Sequence, residues 1–296
     1  MMIDPLSVFL LLLGASTPIL FAALGELVVE RAGVLNLGVE GMMITGALAG
    51  FGAAYASGNP FLGFLVAALA GAAISMLFAA LTQVFLANQV ASGLALTLFG
   101  LGLAAMLGKP FEGVRAPAMP AGPLRINWIV WLGLAMVPLV WWFLNRTRSG
   151  LILRAVGENH EAAHALGYNI RLTRLGAIAF GGAMAGVGGA FISIATVLQW
   201  TEGMTAGAGW IALAIVVFSN WTAPGVLAGA WLFGGVTVLQ LRLQAAGVAV
   251  PVQLLSMAPY LATIIVLVAI SARQKFSRRA GTGAPGSLGT NFHALR

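Results

Sequence analysis

The sequence of 296 residues is 60% hydrophobic, only 8% charged, and has a mean hydropathy of +0.97. About a quarter of the residues in a soluble domain are charged, so this composition excludes a soluble globular protein and indicates a polytopic membrane protein. The net charge of +7 comes from basic residues between and after apolar segments, which is typical of membrane topology signals rather than of nucleic-acid binding. Without cysteine, the chain has no disulfide, thiolate nucleophile or cysteine metal ligand.

Apolar segments long enough to cross a bilayer recur along the whole chain. A spanning helix needs about 20 largely apolar residues, and we predict an all-α fold with about nine spans, within a range of eight to ten. No basic residue precedes the first segment, which favours a permanent span over a cleaved signal peptide. The seventh segment is short enough to be re-entrant or broken. The predicted spans are 6–25, 33–55, 61–86, 90–107, 127–144, 174–198, 208–220, 224–241 and 254–272.

The distribution of basic residues predicts the orientation of these spans. With nine spans, one side of the membrane carries eleven lysines and arginines and the other side carries four. Because a basic excess marks the cytoplasmic side, the N-terminus is expected outside, and the polar segment 145–174 and the C-terminus in the cytoplasm. Residues 276–296 are rich in Gly, Ser, Thr and Ala, which predicts a disordered cytoplasmic tail after a single membrane domain over 1–275.

Several predicted spans contain polar residues and glycines at membrane depth. Such segments are tolerated where they face protein or a wet cavity, and broken helices commonly mark substrate sites in transporters. A structural role stays open for each residue, and Glu40 in particular could hold a broken helix by hydrogen bonding. A stripe of small residues at 182, 186 and 190 instead predicts helix packing. The candidate solute pathway consists of Asn36, Gly38, Glu40, Gly41, Ser92, Thr97 and Asn220.

The polar segment contains the sequence HEAAH over 160–164, which matches the HExxH pattern of zinc hydrolases. Two histidines four residues apart on a helix can bind one zinc ion, but a catalytic zinc site usually needs a third protein ligand. The longer metzincin pattern needs a histidine at the position of Ile170. A membrane zinc hydrolase is therefore a remote alternative, and we predict no metal ligand and no catalytic residue.

The same residues also fit a short surface helix. Asn159 is a plausible N-cap, Glu158 and Glu161 suit the positive end of a helix dipole, and Gly167 is a typical C-terminal stop. A short exposed helix suits docking into the groove of a partner protein. The chain has no G-x-x-x-x-G-K-[ST] loop for ATP, so energy for uphill transport would come from elsewhere.

Four stretches of the sequence resemble the permease subunits of ABC importers in the sugar and nucleoside branch, whose wider relatives include the ribose and branched-chain amino acid permeases. The stretches are 25–51, 92–103, 154–170 and 209–225. They occur in family order, and the similarity runs from about residue 15 to residue 272.

The resemblance implies that the helix after Gly157 is the coupling helix that docks on an ATPase subunit. His160 and His164 stand where the usual family form, GEN-P-EAA-R-xxG, has Pro and Arg. The implied coupling residues are Gly157, Glu158, Asn159, Glu161, Ala162, Ala163, His164 and Gly167.

The resemblance also implies the rest of the transport system. A second permease chain, an ATPase that binds ATP and magnesium, and an extracytoplasmic solute-binding protein would assemble with this chain in the bacterial inner membrane. The chain itself would hold no cofactor and would not be an enzyme. Nucleosides are the expected solutes, with simple sugars as the rival. An ion-coupled secondary transporter remains the alternative class.

Overall fold

The chain forms a bundle of helices in the computed structural model. The structure describes residues 5–246 and 283–293, and five single helical positions between them, at 257, 261, 264, 265 and 268. Helices α3 and α8 each continue as a π-helical stretch, over Ala80–Val84 and Phe191–Thr196. The helices are α1 (Pro5–Arg31), α2 (Val39–Ser57), α3 (Pro60–Ala79), α4 (Gln89–Gly108), α5 (Trp128–Arg146), α6 (Arg148–Glu158), α7 (His160–Ala165), α8 (Ile170–Ala190), α9 (Ala208–Phe218) and α10 (Ala223–Ala245).

The prediction of an all-α polytopic membrane protein is confirmed. Among the described residues, six helices are long and apolar enough to cross a membrane, namely α1, α3, α4, α5, α8 and α10. Helix α9 has 11 residues, so at about 1.5 Å per residue it covers roughly half of a hydrocarbon core about 30 Å thick. The count of nine spans is not confirmed. The ninth predicted span, 254–272, lies outside the described residues apart from the single positions.

Two predicted boundaries are wrong in ways that affect the candidate site. Helix α1 runs to Arg31 instead of ending near residue 25, which brings Glu26 and Glu30 into the helix, and both side chains are buried. The chain then leaves the helix at Gly33, whose φ of +81° favours glycine, and α2 begins only at Val39. The second predicted span therefore starts with a non-helical connection.

Helix α8 lies at the centre of the bundle, against α1, α2 and α3. Its glycines allow this close approach, because a Cβ on Gly182 would lie 2.4 Å from the carbonyl oxygen of Gly71. A Cβ on Gly186 would lie 2.2 Å from the carbonyl oxygen of Ala67. The predicted packing role of the small-residue stripe is confirmed.

One end of the bundle, the α7 end, carries α6, α7 and the C-terminal segment, defined as residues 283–293. The prediction of a disordered tail is wrong for these residues. Ser287 and Phe292 are each only 6% exposed, and the backbone N–H of Ser287 donates to the carbonyl of Gly157 at 2.8 Å. The buried ring of Phe292 and several hydrogen bonds therefore hold the C-terminal segment in place, although its composition is polar and rich in glycine.

Candidate functional site

Helix α7 is a six-residue helix with a well-defined start and end. The side chain of Asn159 accepts a hydrogen bond from the backbone N–H of Ala162 at 2.9 Å, as expected of an N-cap. Gly167 has a φ of +88°, and the next N–H, of Tyr168, donates to the carbonyl of Ala163 at 3.2 Å. This is the Schellman arrangement that ends a helix. Both cap predictions and the prediction of a short helix are confirmed.

Gly157 and Glu158 belong to α6 rather than to α7. A Cβ on Gly157 would lie 2.0 Å from the carbonyl oxygen of Arg31, so α6 approaches the end of α1 as closely as a glycine allows. On α7 only Ala163 is buried, whereas Glu161 and Ala162 are exposed. Leu166, just after the helix, is 76% exposed. The cap residues therefore fix a short helix that presents an open surface containing an acid and an exposed leucine.

Arg174 joins three parts of the α7 end. Its side chain is fully buried, and each of its three nitrogens has a partner. Nε donates to the carbonyl of Ala32 at 3.2 Å, and one terminal nitrogen donates to the carbonyl of Thr290 at 3.0 Å. The other lies 3.3 Å from Nδ1 of His160. A buried cation is costly unless its donors are satisfied, so breaking these bonds would be unfavourable. The bonds therefore hold the start of α8 against the end of α1.

His160 and His164 lie where the zinc-hydrolase alternative would place two metal ligands. The ring of Phe292 packs edge-on against both imidazoles, with ring centroids 5.5 Å from His160 and 5.0 Å from His164. Burial lowers the pKa of His160, the neighbouring Arg174 and His293 side chains lower it further, and Glu161 opposes them. No cluster of three His, Cys, Asp or Glu side chains occurs within the described residues. The observed contacts of the pair are with an aromatic ring and a guanidinium.

Glu40 is buried and holds the N-terminus of α9. Its Oε1 accepts hydrogen bonds from the hydroxyl of Thr205 at 2.5 Å and from the N–H of Gly207 at 3.0 Å. Its Oε2 accepts from the N–H of Gly209 at 2.8 Å. A carboxylate at a helix N-terminus satisfies unpaired donors and the helix dipole together. Both oxygens are therefore used to position the short helix.

The other candidate pathway residues of α2 and α4 lie where these two helices meet. Asn36 is fully buried in the turn before α2, and its Oδ1 accepts from the N–H of Gly38 at 2.9 Å. The hydroxyl of Thr97 donates to the carbonyl of Leu37 at 2.9 Å. A Cβ on Gly41 would lie 2.6 Å from the carbonyl oxygen of Leu96. Ser92, also on α4, is 7% exposed. Six of the seven predicted pathway residues thus lie on α2, in the turn before it, or on α4.

Asn220 lies apart from this group. It follows α9 at the α7 end, is exposed, and accepts from the N–H of Gly283 at 2.8 Å through Oδ1. Its contact is therefore with the C-terminal segment rather than with α2 or α4.

Three residues that hold the α7 end together were not predicted from the sequence. Arg174 was counted only as a topology signal, and Phe292 was placed in a disordered tail. Glu30 was not singled out, yet its Oε2 accepts from the indole N–H of Trp221 at 2.5 Å, 191 positions away. The sequence does contain a signal for Glu30, because Glu26 and Glu30 lie four residues apart in a largely apolar helix. A carboxylate in such a helix is costly and therefore usually has a specific partner.

These features define a multi-pass helical membrane protein with a short, capped and exposed helix at one end of the bundle. A family model described as the permease component of the branched-chain amino acid transport system matches residues 8–271. The chain belongs to this family of ABC transporter permeases. A permease of this family is not itself an enzyme, and the family implies an ATPase and a solute-binding protein as partners.

Curated relatives of the chain are permeases of sugar and nucleoside ABC transporters. A proposed glucose permease of Haloferax volcanii, TsgC13, is 42% identical over 86% of this chain and 88% of its own length. The nucleoside permease NupC of Lactococcus lactis is 33% identical, over 85% of this chain and 88% of its own. The guanosine permease NupQ of Bacillus subtilis is 31% identical, over 87% and 90%.

Proposed function

We propose that this chain is the permease subunit of an importer for a simple sugar or a nucleoside, driven by a separate ATPase that docks on α7. The observation that carries the proposal is the open surface of α7, a helix capped by Asn159 and ended by Gly167. Leu166 is 76% exposed and Leu172 is 67% exposed. Exposed leucines beside a fixed helix are typical of a protein interface.

The energy and the cofactors would come from that partner. ATP and magnesium would bind to the ATPase, and this chain would convert the movement of α7 into a change of helix positions. The basic excess at the α7 end supports a cytoplasmic location for α7 and an outer location for the N-terminus, in the inner membrane of a bacterial cell. A second permease chain, identical or related, would complete the pathway, and a solute-binding protein would deliver the solute outside.

Glu40, Asn36 and Thr97 would shape the pathway by fixing helices rather than by binding solute. Glu40 already accepts three hydrogen bonds from the start of α9. Thr97 ties α4 to the turn before α2. A bound solute would have to compete with these internal partners. Ser92 remains the candidate for direct contact on α4, and Asn220 would act at the α7 end instead.

A simple sugar and a nucleoside are both small, polar and rich in hydroxyl groups. The relative with 42% identity is named for glucose, and two relatives with 33% and 31% identity are named for nucleosides or guanosine. Uptake of labelled glucose and of labelled guanosine by the assembled transporter distinguishes the two. Saturable uptake of either one that requires ATP supports the proposal. Uptake that follows an imposed ion gradient without ATP would instead identify a secondary transporter.

The docking step is tested by co-purification of the partner ATPase with this chain. Replacing both acids beside the helix, Glu158→Ala with Glu161→Ala, or the exposed leucine, Leu166→Asp, should remove the ATPase from the purified complex. The matched control is Leu124→Asp, because Leu124 is 59% exposed and lies in the connection between α4 and α5. Retention of the ATPase by all α7 variants would contradict docking at this surface.

A further inference from the structure

The C-terminal segment connects α7 with the beginning of α4. At the α7 side, the N–H of His160 donates to the hydroxyl of Ser287 at 3.3 Å. Phe292 is 6% exposed, in a cluster with Ala163 of α7 and Ile170 of α8. The segment therefore covers the inner face of α7 and leaves its outer face free.

At the other side, the segment holds the first residue of α4. Nε2 of Gln89 donates to the carbonyl of Thr290 at 3.3 Å and to Oδ1 of Asn291 at 3.1 Å. Nδ2 of Asn291 donates in turn to the carbonyls of Leu86 at 2.6 Å and Ala87 at 3.1 Å. Asn291 thus bonds both to the turn before α4 and to the first residue of the helix.

Gln89 continues the connection toward the candidate pathway. Its Oε1 accepts from the N–H of Leu35 at 2.8 Å, in the turn that leads into α2. Along α4, a Cβ on Gly93 would lie 2.7 Å from the backbone nitrogen of Leu37. Movement of the start of α4 would therefore displace the turn that contains Asn36.

We propose that the C-terminal segment transmits displacement of α7 to the start of α4, with Phe292 and Asn291 as positioning residues. The inference rests on the proposed docking of an ATPase on α7. The segment is hydrogen-bonded to α7 through Ser287 and to the start of α4 through Asn291, and Phe292 is buried against α7, so displacement of α7 can be passed to α4. Contacts between two sites do not by themselves establish energetic coupling, so the proposal requires a functional measurement.

The first test uses the full-length permease, purified with its ATPase and reconstituted with its solute-binding protein. Phe292→Ala should leave the amount of bound ATPase and the basal ATP hydrolysis unchanged. It should lower solute transport per ATP hydrolysed by about tenfold, which lies within the range of measured coupling effects. Phe292→Leu should restore much of the loss, and His293→Ala, at an exposed neighbour, should have little effect.

Two results of this experiment would overturn the proposal. Wild-type transport per ATP in Phe292→Ala would show that the segment is dispensable. Loss of the ATPase from this variant would show that Phe292 belongs to the docking surface. Failure of the wild-type chain to retain any ATPase would instead contradict the proposed function.

A second test avoids loss of packing. The sequence contains no cysteine, so in this chain a short bismaleimide can join only the introduced pair Gln89→Cys and Asn291→Cys, and the link is made before the partners are added. The unlinked pair lacks the bonds of Gln89 and Asn291, so it should transport less solute per ATP than the wild type, and linking should restore much of the loss. Equal transport by the linked and unlinked pair would overturn the proposal. Loss of transport on linking would show that the two parts must separate, and would overturn the proposal.

Discussion

One guanidinium nitrogen of Arg174 lies 3.3 Å from Nδ1 of His160. Burial, Arg174 and His293 all lower the pKa of His160, and Glu161 only partly opposes them. The folded contact therefore favours the neutral imidazole. The stabilisation that this contact gives the folded state is fully present above the ordinary histidine pKa of about 6.5. This stabilisation is lost as the pH falls through that value toward the lowered pKa of His160. A protonated imidazole would place a second cation beside Arg174.

We expect solute transport by the assembled complex to decrease as the pH on the α7 side falls from about 8 to about 5. His160→Asn, which cannot become charged, should make the profile flatter. His164→Asn is the matched control, because His164 also contacts Phe292 but has no bond to Arg174. The measurement is the transport rate of proteoliposomes over this pH range. Superimposable profiles for the wild type and His160→Asn would contradict the assignment.

Removing the side chain of Glu40 should destabilise the fold. Glu40→Ala leaves the N–H groups of Gly207 and Gly209 and the hydroxyl of Thr205 without their acceptor. At about 1–3 kcal/mol for each unsatisfied buried group, we expect a total cost of several kcal/mol. Thr205→Val, which removes only one of the three bonds, should cost about 1 kcal/mol.

Thermal unfolding of the purified permease measures these costs, and solute uptake separates the two roles of Glu40. A structural role predicts that Glu40→Gln lowers the melting temperature together with the amount of active protein. A direct solute contact instead predicts an increase in the KM for uptake at unchanged stability. The second result would show that Glu40 binds the solute.

The fold class and the caps of α7 could be predicted because they depend on local sequence. Apolar segments recur at membrane length, and Asn159 and Gly167 act on groups within a few residues of themselves. The length of α1 could not be predicted from hydropathy, because the acids that appear to end it are buried by partners far along the chain. Glu30, for example, depends on Trp221.

The contacts of the candidate pathway residues depend on distant partners as well. Polarity at membrane depth identified Asn36 and Glu40, but it could not show that both are used internally. The bonds of Glu40 go to residues 165 to 169 positions away. The C-terminal segment was the largest error, because a Gly- and Ser-rich composition hides the contribution of one buried ring, that of Phe292.

Trp221→Phe should destabilise the permease through Glu30. The substitution removes the indole N–H that donates to Oε2 of Glu30, which leaves a buried carboxyl oxygen unsatisfied at a cost of roughly 1–3 kcal/mol. In a Glu30→Leu background the same substitution should cost clearly less, because no acceptor remains. A double-mutant cycle on the thermal stability of the purified protein measures this coupling. Additive effects of the two substitutions would contradict the importance of this bond.

Two glycines of α8 should respond in opposite directions to the same substitution. A Cβ on Gly182 would lie 2.4 Å from the carbonyl oxygen of Gly71 and 2.5 Å from the Cβ of Ser75, whereas a Cβ on Gly176 would meet nothing within 4 Å. Because backbone must move, Gly182→Ala should cost about 1–3 kcal/mol. Gly176→Ala should be neutral or stabilise α8 by roughly 0.5–1 kcal/mol, since alanine restricts the unfolded chain. Thermal unfolding of the two variants in the same detergent tests the difference. Equal melting temperatures would show that α3 and α8 are not packed as closely at the centre of the bundle as the glycine contacts require.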